Sequence, residues 1–185
     1  MGPSVERRRV KPLVREVSRV KVIVFGDAYV GKTSVISRYC TGQFSPTYNA
    51  TVGIDFQVSS MTHFADMDLR LNLWDLSGHE EFLDVRNEFY KDAHGGILMY
   101  DITSRKSFTN LDLWLREALK CGGKDVVYVV CGNKSDMRSR AVGELEGRQW
   151  ASSKGFLFFE TSASTGRGIH EMFAELTRQL VAAEG

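Results

Sequence analysis

The chain has 185 residues, 43% of them hydrophobic and 25% charged, a composition that fits one ordinary globular domain able to bury its own core. Three scattered cysteines, Cys40, Cys121 and Cys131, form neither a disulfide framework nor a metal-ligand pattern and suit reduced thiols. The longest apolar run, Val126 to Cys131, is far shorter than the roughly 18–20 residues of a membrane-spanning helix, and no apolar leader opens the chain. The expected location is the cytoplasm, with the nucleus as the alternative.

The formal net charge of +1 conceals an asymmetry, because residues 1 to 21 hold seven Lys/Arg against two Glu, which leaves 17 against 21 for the rest. Residues 1–18 are expected to be a basic, flexible extension and residues 19–185 the folded domain. The run Arg7-Arg8-Arg9 is read as part of a solvated leader, with a nuclear-import or anionic-surface patch as the alternative. Pro3 and Glu6 spoil a myristoylation signal, and the final residues, Val181 to Gly185, carry no prenylatable cysteine, so no direct lipid anchor is expected.

In chain order, Val20 to Phe25 predicts a strand and Lys32 to Cys40 a helix. Between them lies Gly26-Asp27-Ala28-Tyr29-Val30-Gly31-Lys32-Thr33, a G-x-x-x-x-G-K-[ST] loop in its required strand-to-helix setting. Such a loop wraps backbone N–H groups around a polyphosphate, with the helix N-terminus adding its positive dipole end. Lys32 is placed to reach the β- and γ-phosphates and Thr33 to ligate Mg²⁺. Taken alone, the loop indicates a purine nucleoside triphosphate and leaves ATPases and nucleotide kinases open.

Strands are next predicted over Thr51 to Met61 and Leu69 to Leu76, joined near Asp66 to Asp68 by a link too short for a crossover, which makes them an antiparallel edge hairpin. A helix over Glu81 to Lys91 and a strand over Gly96 to Tyr100 follow. The helix predicted over Ser107 to Leu119 shows Phe108, Leu111, Leu115 and Leu119 at three- and four-residue steps, with Trp114 one position off that line. The strand Val126 to Cys131, the helix Gly143 to Lys154, the strand Phe156 to Phe159 and the helix Gly168 to Val181 complete the pattern. Strands alternating with helices of this length need crossovers, so the fold class is α/β: a six-stranded, mostly parallel sheet with one antiparallel edge hairpin and helices on both faces.

Two segments fall where open α/β sheets bind ligands, just past strand ends. Asn133-Lys134-Ser135-Asp136 follows the fifth strand and Glu160-Thr161-Ser162-Ala163 the sixth. Guanine offers two adjacent donors, a ring N–H and an amino group, which one carboxylate accepts together; adenine has no such edge. Asp136 is therefore the expected guanine selector, with the Ala163 N–H facing the guanine carbonyl oxygen.

From about Arg19 to Val181 these motifs, in identity, order and spacing, resemble a small GTPase of the Ras and Rab superfamily. The resemblance implies a P-loop NTPase fold, a GTP/GDP cycle with Mg²⁺, and a monomer that meets effector, exchange-factor and GTPase-activating proteins through two switch regions, without nucleic acid. It implies that Phe44 packs on the base and that Thr51 is a Mg²⁺ ligand sensing the γ-phosphate. By the same resemblance Asp75 lies near Mg²⁺ and the Gly78 N–H contacts the γ-phosphate. The implied nucleotide contacts further include Ser34, Asn133, Lys134, Ser162 and Ser164 beside the loop residues Gly26 to Thr33.

The sequence departs from the family pattern at informative places. After Trp74-Asp75-Leu76-Ser77-Gly78 the family has a water-orienting glutamine, and here stands His79, whose shorter, stiffer ring predicts slow intrinsic hydrolysis. Ala28 and Tyr29 replace glycines next to the γ-phosphate, and Ser164 replaces a lysine that covers the base. The second-switch stretch Ser77 to Tyr90 resembles the Rab-like GTPases that carry a C-terminal J domain. No His-Pro-Asp tripeptide occurs in this chain, so the J domain is expected to be absent from it and a link to Hsp70 depends on one following in a longer protein.

Overall fold

A computed structural model describes residues 17–60, 62–64 and 67–184. Most of the basic extension expected over residues 1–18 therefore lies outside the described residues. The first strand, β1 (Val17–Gly26), begins two residues before the expected boundary. It pairs in parallel on one side with β4 (Met67–Leu76) and on the other with β5 (Gly95–Asp101), followed by β6 (Val127–Asn133) and β7 (Leu157–Glu160), all parallel. On the far edge of β4, the antiparallel position is filled by two successive segments, β2 (Ile54–Val58) and β3 (Thr62–Phe64).

The expected six-position sheet is present, with the order β2-β4-β1-β5-β6-β7 and β3 continuing the edge beyond β2. The single strand predicted over Thr51 to Met61 differs in detail. It starts only at Ile54 and stops at Val58, because Ser59 interrupts the ladder: the Leu71 N–H donates to Ser59 Oγ at 2.9 Å, while the Ser59 N–H donates to the Leu71 carbonyl at 3.0 Å. The hairpin link read near Asp66 to Asp68 is displaced, since β4 already starts at Met67, and residues 65 and 66 lie outside the described residues.

Alternation along the central strands divides the core between two faces. Val20, Val22 and Val24 of β1 point to one face, with Ile97 and Met99 of β5. There they meet Val35 and Ile36 of α1 (Lys32–Thr41) and Phe173, Leu176 and Leu180 of α6 (Ile169–Glu184). Ile23 and Phe25 point to the other face, with Leu98 and Tyr100, against Leu111, Trp114, Leu115 and Ala118 of α4 (Leu111–Lys120) and Ala151 of α5 (Glu144–Ser153). Each fully buried Val, Leu, Ile, Phe or Met among them contributes about 1.5–3 kcal/mol relative to exposure. The N-termini of α1 and α6 are thereby fixed at the end of the sheet where β1, β6 and β7 finish.

Two predicted helices are broken up. The segment read as one helix over Ser107 to Leu119 is α3 (Arg105–Thr109) followed by α4, with Asn110 between them. It begins early because Ser104 caps it, its hydroxyl accepting from the Ser107 N–H at 3.2 Å. The buried line of α4 runs through Leu111, Trp114, Leu115 and Ala118, while Leu119 is exposed; Trp114, off the expected line, is inside. The helix read over Glu81 to Lys91 is a 3₁₀ turn, Glu80–Phe82, leading into the short α2 (Leu83–Asn87).

Candidate functional site

The loop between β1 and α1 folds over the end of the sheet and is held there by its neighbours. Gly31, at φ 95, faces the Asn133 side chain so closely that a Cβ would collide with the amide. The gap lets Asn133 Nδ2 donate to the Val30 carbonyl at 2.9 Å, while Asn133 Oδ1 accepts from Thr161 Oγ1 at 3.1 Å and from the Ala163 N–H at 3.3 Å. Asn133 is thus a buried fastener joining the loop to the ends of β6 and β7. Gly78 approaches the loop from the β4 side, where a Cβ would overlap the backbone of Asp27 and Ala28.

Within the loop, Lys32 is only 6% exposed, and its ammonium donates to the carbonyls of Gly26 at 2.9 Å and Asp27 at 2.8 Å. Burial pushes its pKa down to about 8, partly opposed by the carboxylates of Asp75 and Asp27. Asp75, 2% exposed, moves the other way: burial raises its pKa, opposed by Lys32 and by hydrogen bonds from Thr33 and Thr51. Both groups are drawn toward neutrality, because desolvation outweighs their mutual attraction.

Beside Lys32, three oxygens converge. Thr33 Oγ1 hydrogen-bonds Asp75 Oδ2, Thr51 Oγ1 donates to the same oxygen at 3.2 Å, and the two hydroxyls are 3.0 Å apart. Asp75 Oδ1 is buried and has no hydrogen-bond partner among the described residues. Two hydroxyls and a carboxylate with an orphaned oxygen are a hard, all-oxygen set, the donor chemistry that Mg²⁺ takes.

These residues form one end of a trough. A cavity of about 160 Å³ is lined by Ala28, Tyr29, Gly31, Lys32, Thr33, Ser34, Thr51, Gly78 and His79. A second, of about 320 Å³, is lined by Phe44, Asn133, Lys134, Asp136, Met137, Ala163 and Ser164. The two share Tyr29, Gly31, Ser34, Ser45, Thr47 and Tyr48 and so run into each other. At the second end, Asp136 Oδ1 accepts from Ser162 Oγ at 2.6 Å, and the Ser162 oxygen in turn accepts from the Thr165 N–H at 3.0 Å. The Lys134 ammonium pairs with Asp101 Oδ2 at 2.6 Å, and its backbone sits at φ 66.

Several expected ligand residues use their polar groups on the protein itself. The Asp27 carboxylate turns away from the trough, accepting from Asn110 Nδ2 at 2.8 Å and Trp114 Nε1 at 2.6 Å, so only its backbone faces the loop interior. The Ala163 N–H, read as the partner of a base carbonyl, here meets Asn133. The His79 ring lies at the rim against two tyrosines, and its carbonyl accepts from Arg86 Nη1 at 2.7 Å.

Arg86, Glu117, Trp114 and Tyr48 are site neighbours that the sequence did not single out. Arg86 is nearly buried, is held by Glu117 through bonds of 2.7 and 3.0 Å and lies over the Trp114 ring at 4.5 Å. It ties α4 to the segment carrying His79. The one available signal was Trp114, a large aromatic displaced from the apolar line of its helix.

A phosphate-binding loop closing β1, a buried lysine, an oxygen cluster beside it and a carboxylate at the far strand ends define a P-loop nucleotide-binding protein. The Ras family model matches residues 21–182, and the chain belongs to that family of GTP-binding small GTPases. It is 48% identical over 165 residues to DnaJ homolog subfamily C member 27-A of Xenopus laevis, covering 86% of this chain and 60% of that protein. It is 49% identical over 165 residues to DnaJ homolog subfamily C member 27 of Gallus gallus, with the same coverage. To the Homo sapiens protein of that name it is 50% identical over 161 residues, covering 84% of this chain and 59% of the relative. The chain thus spans about three fifths of the length of these relatives.

Proposed function

We propose that the chain is a Mg²⁺-dependent guanine-nucleotide switch that binds GTP and GDP, hydrolyses GTP slowly, and signals through its two switch segments. The observation that carries this reading is the polarity of the trough, with the Lys32 ammonium and the Thr33, Thr51 and Asp75 oxygens at one end and Asp136 at the other. Lys32 supplies the positive charge for the β- and γ-phosphates, aided by the N-terminus of α1. Thr33, Thr51 and Asp75 would hold the cation, which would supply positive charge to neutralise the phosphates.

In this reading Asp136 selects guanine, with one oxygen oriented by Ser162, while Phe44 covers a base face and Ser164 edges the pocket. Gly78 brings the second switch against the loop, and Thr51 ties the first switch to the oxygen cluster, so losing the terminal phosphate releases both. The His79 ring faces aromatic partners at the rim, and a rigid imidazole there orients an attacking water poorly. Exchange factors, GTPase-activating proteins and effectors meet the switch segments of a cytoplasmic monomer. Because the relatives carry the name DnaJ homolog, a link to Hsp70 is proposed for the case in which a J domain follows in the full-length protein.

Single-turnover phosphate release from GTP-loaded protein, wild type against His79→Gln at equal Mg²⁺, tests the slow-hydrolysis reading. The glutamine variant is expected to be faster by on the order of tenfold, about 1.4 kcal/mol of barrier. Wild-type release as fast as that of the variant would sink the role given to His79.

A further inference from the structure

Tyr29 is a tyrosine where the backbone favours glycine. Its φ of 68 lies in the left-handed region, and its ring is largely exposed. Such conformations persist in side-chain-bearing residues when surrounding contacts compensate, and they mark places where the side chain has a use. Here the contacts come from two other segments. The Tyr29 ring stacks on Tyr48 with centroids 4.2 Å apart and planes 30° apart, and its edge meets His79 at 6.2 Å and 76°. Tyr48 Oη and His79 Nε2 are 3.5 Å apart, closing the triangle.

The three rings belong to three loops: the phosphate-binding loop, the segment between α1 and β2, and the segment after β4. All three line the cavity that also holds Lys32, Thr33 and Thr51. Tyr29 and Tyr48 also line the base end, so the stacked pair stands where the two halves of the trough join. The loop carrying Tyr48 has no regular structure from Gln43 to Gly53. Among its attachments over the trough are the Tyr48 contacts, the Thr51 hydroxyl bonds and the Gly53 carbonyl, which accepts from the Ser77 N–H at 2.9 Å.

From this placement we infer that Tyr29 is a nucleotide-retaining residue: its ring, stacked on Tyr48 and braced by His79, bridges the trough and must part from Tyr48 before the bound nucleotide leaves. The inference rests on the guanine-nucleotide reading above. A glycine at position 29 would adopt the same backbone without strain and leave the trough unbridged, whereas phenylalanine keeps the stack. A single aromatic pair accounts for a change in release rate of about threefold to tenfold.

The test is the dissociation rate of a fluorescent GDP analogue, chased with excess GDP in Mg²⁺, from wild type, Tyr29→Phe, Tyr29→Gly, Tyr48→Ala and the Gly/Ala double variant. Release about threefold to tenfold faster from each single loss of a ring, with slow release kept by Tyr29→Phe and less than twofold added by the double variant, is the expected result. Unchanged release from Tyr29→Gly, or effects that multiply in the double variant, would overturn the retaining role while leaving the nucleotide reading intact. Wild-type protein that takes up no guanine nucleotide would overturn both.

Discussion

Asp136 shows how much chemistry one side chain settles at this site. Its Oδ1 accepts from the Ser162 hydroxyl, which fixes the carboxylate plane, and with two lone pairs on each oxygen both Oδ1 and Oδ2 can still accept from a ligand. A carboxylate is acceptor-only and matches the two donors of guanine; an asparagine presents one acceptor and one amide donor and matches a base that carries a carbonyl in place of the amino group. Asp136→Asn is therefore expected to weaken GDP binding by on the order of a hundredfold, about 2.7 kcal/mol, and to strengthen binding of xanthosine diphosphate. Equilibrium titration with the two nucleotides checks it, and equal GDP affinity in both proteins would remove Asp136 from the base site. Neighbouring Asn133 is a different kind of residue: although it stands in the same motif, its amide nitrogen and oxygen both hold the loop to β6 and β7.

Among the elements, α6 shows how burial far from the site supports it. Phe173 has no exposed surface, stacks on Tyr39 of α1 with ring centroids 3.8 Å apart and sits in the same core as Val35 and Ile36. Removing the ring leaves a cavity beneath the helix whose N-terminus closes the phosphate loop. Phe173→Ala is expected to cost about 3–5 kcal/mol of unfolding free energy by denaturant titration; a loss below about 1 kcal/mol would show that α6 is not a structural support of α1. The strands, the mostly parallel sheet and the phosphate loop were legible because each is written in contiguous residues: β-branched runs, glycines at fixed spacing, a lysine and a threonine in sequence. Ser59 was not legible as an interruption, since a serine in an extended run carries no sign that its hydroxyl will take over a ladder bond. Nor was the pairing of Asp27 with Asn110 and Trp114, or of Arg86 with Glu117, because these partners are 31 or more residues apart and meet only after the helices dock. The oxygen cluster was readable only through family resemblance, which aligned Thr51 and Asp75 with Thr33.

At the scale of the molecule, the described domain buries two opposite, incompletely satisfied ionisable groups at one end of the trough. Lys32 and Asp75 are both buried, each shifted toward its neutral form, and Asp75 Oδ1 lacks a partner among the described residues. A polyanion against Lys32 and a dication against Asp75 supply the missing counter-charges, so ligand binding and fold stability are linked. Ligand at a hundred times its dissociation constant adds about 2.7 kcal/mol of stability. In a chain of 185 residues that is a rise in melting temperature of about 5–10 °C. The most direct measurement is a thermal melt of nucleotide-stripped protein with GDP or ADP, each with Mg²⁺ and with EDTA. The expected result is a rise of that size with GDP and Mg²⁺, most of it lost when EDTA replaces Mg²⁺, and none with ADP; an equal rise with ADP, or a GDP effect indifferent to EDTA, would contradict a Mg²⁺-dependent guanine-nucleotide switch.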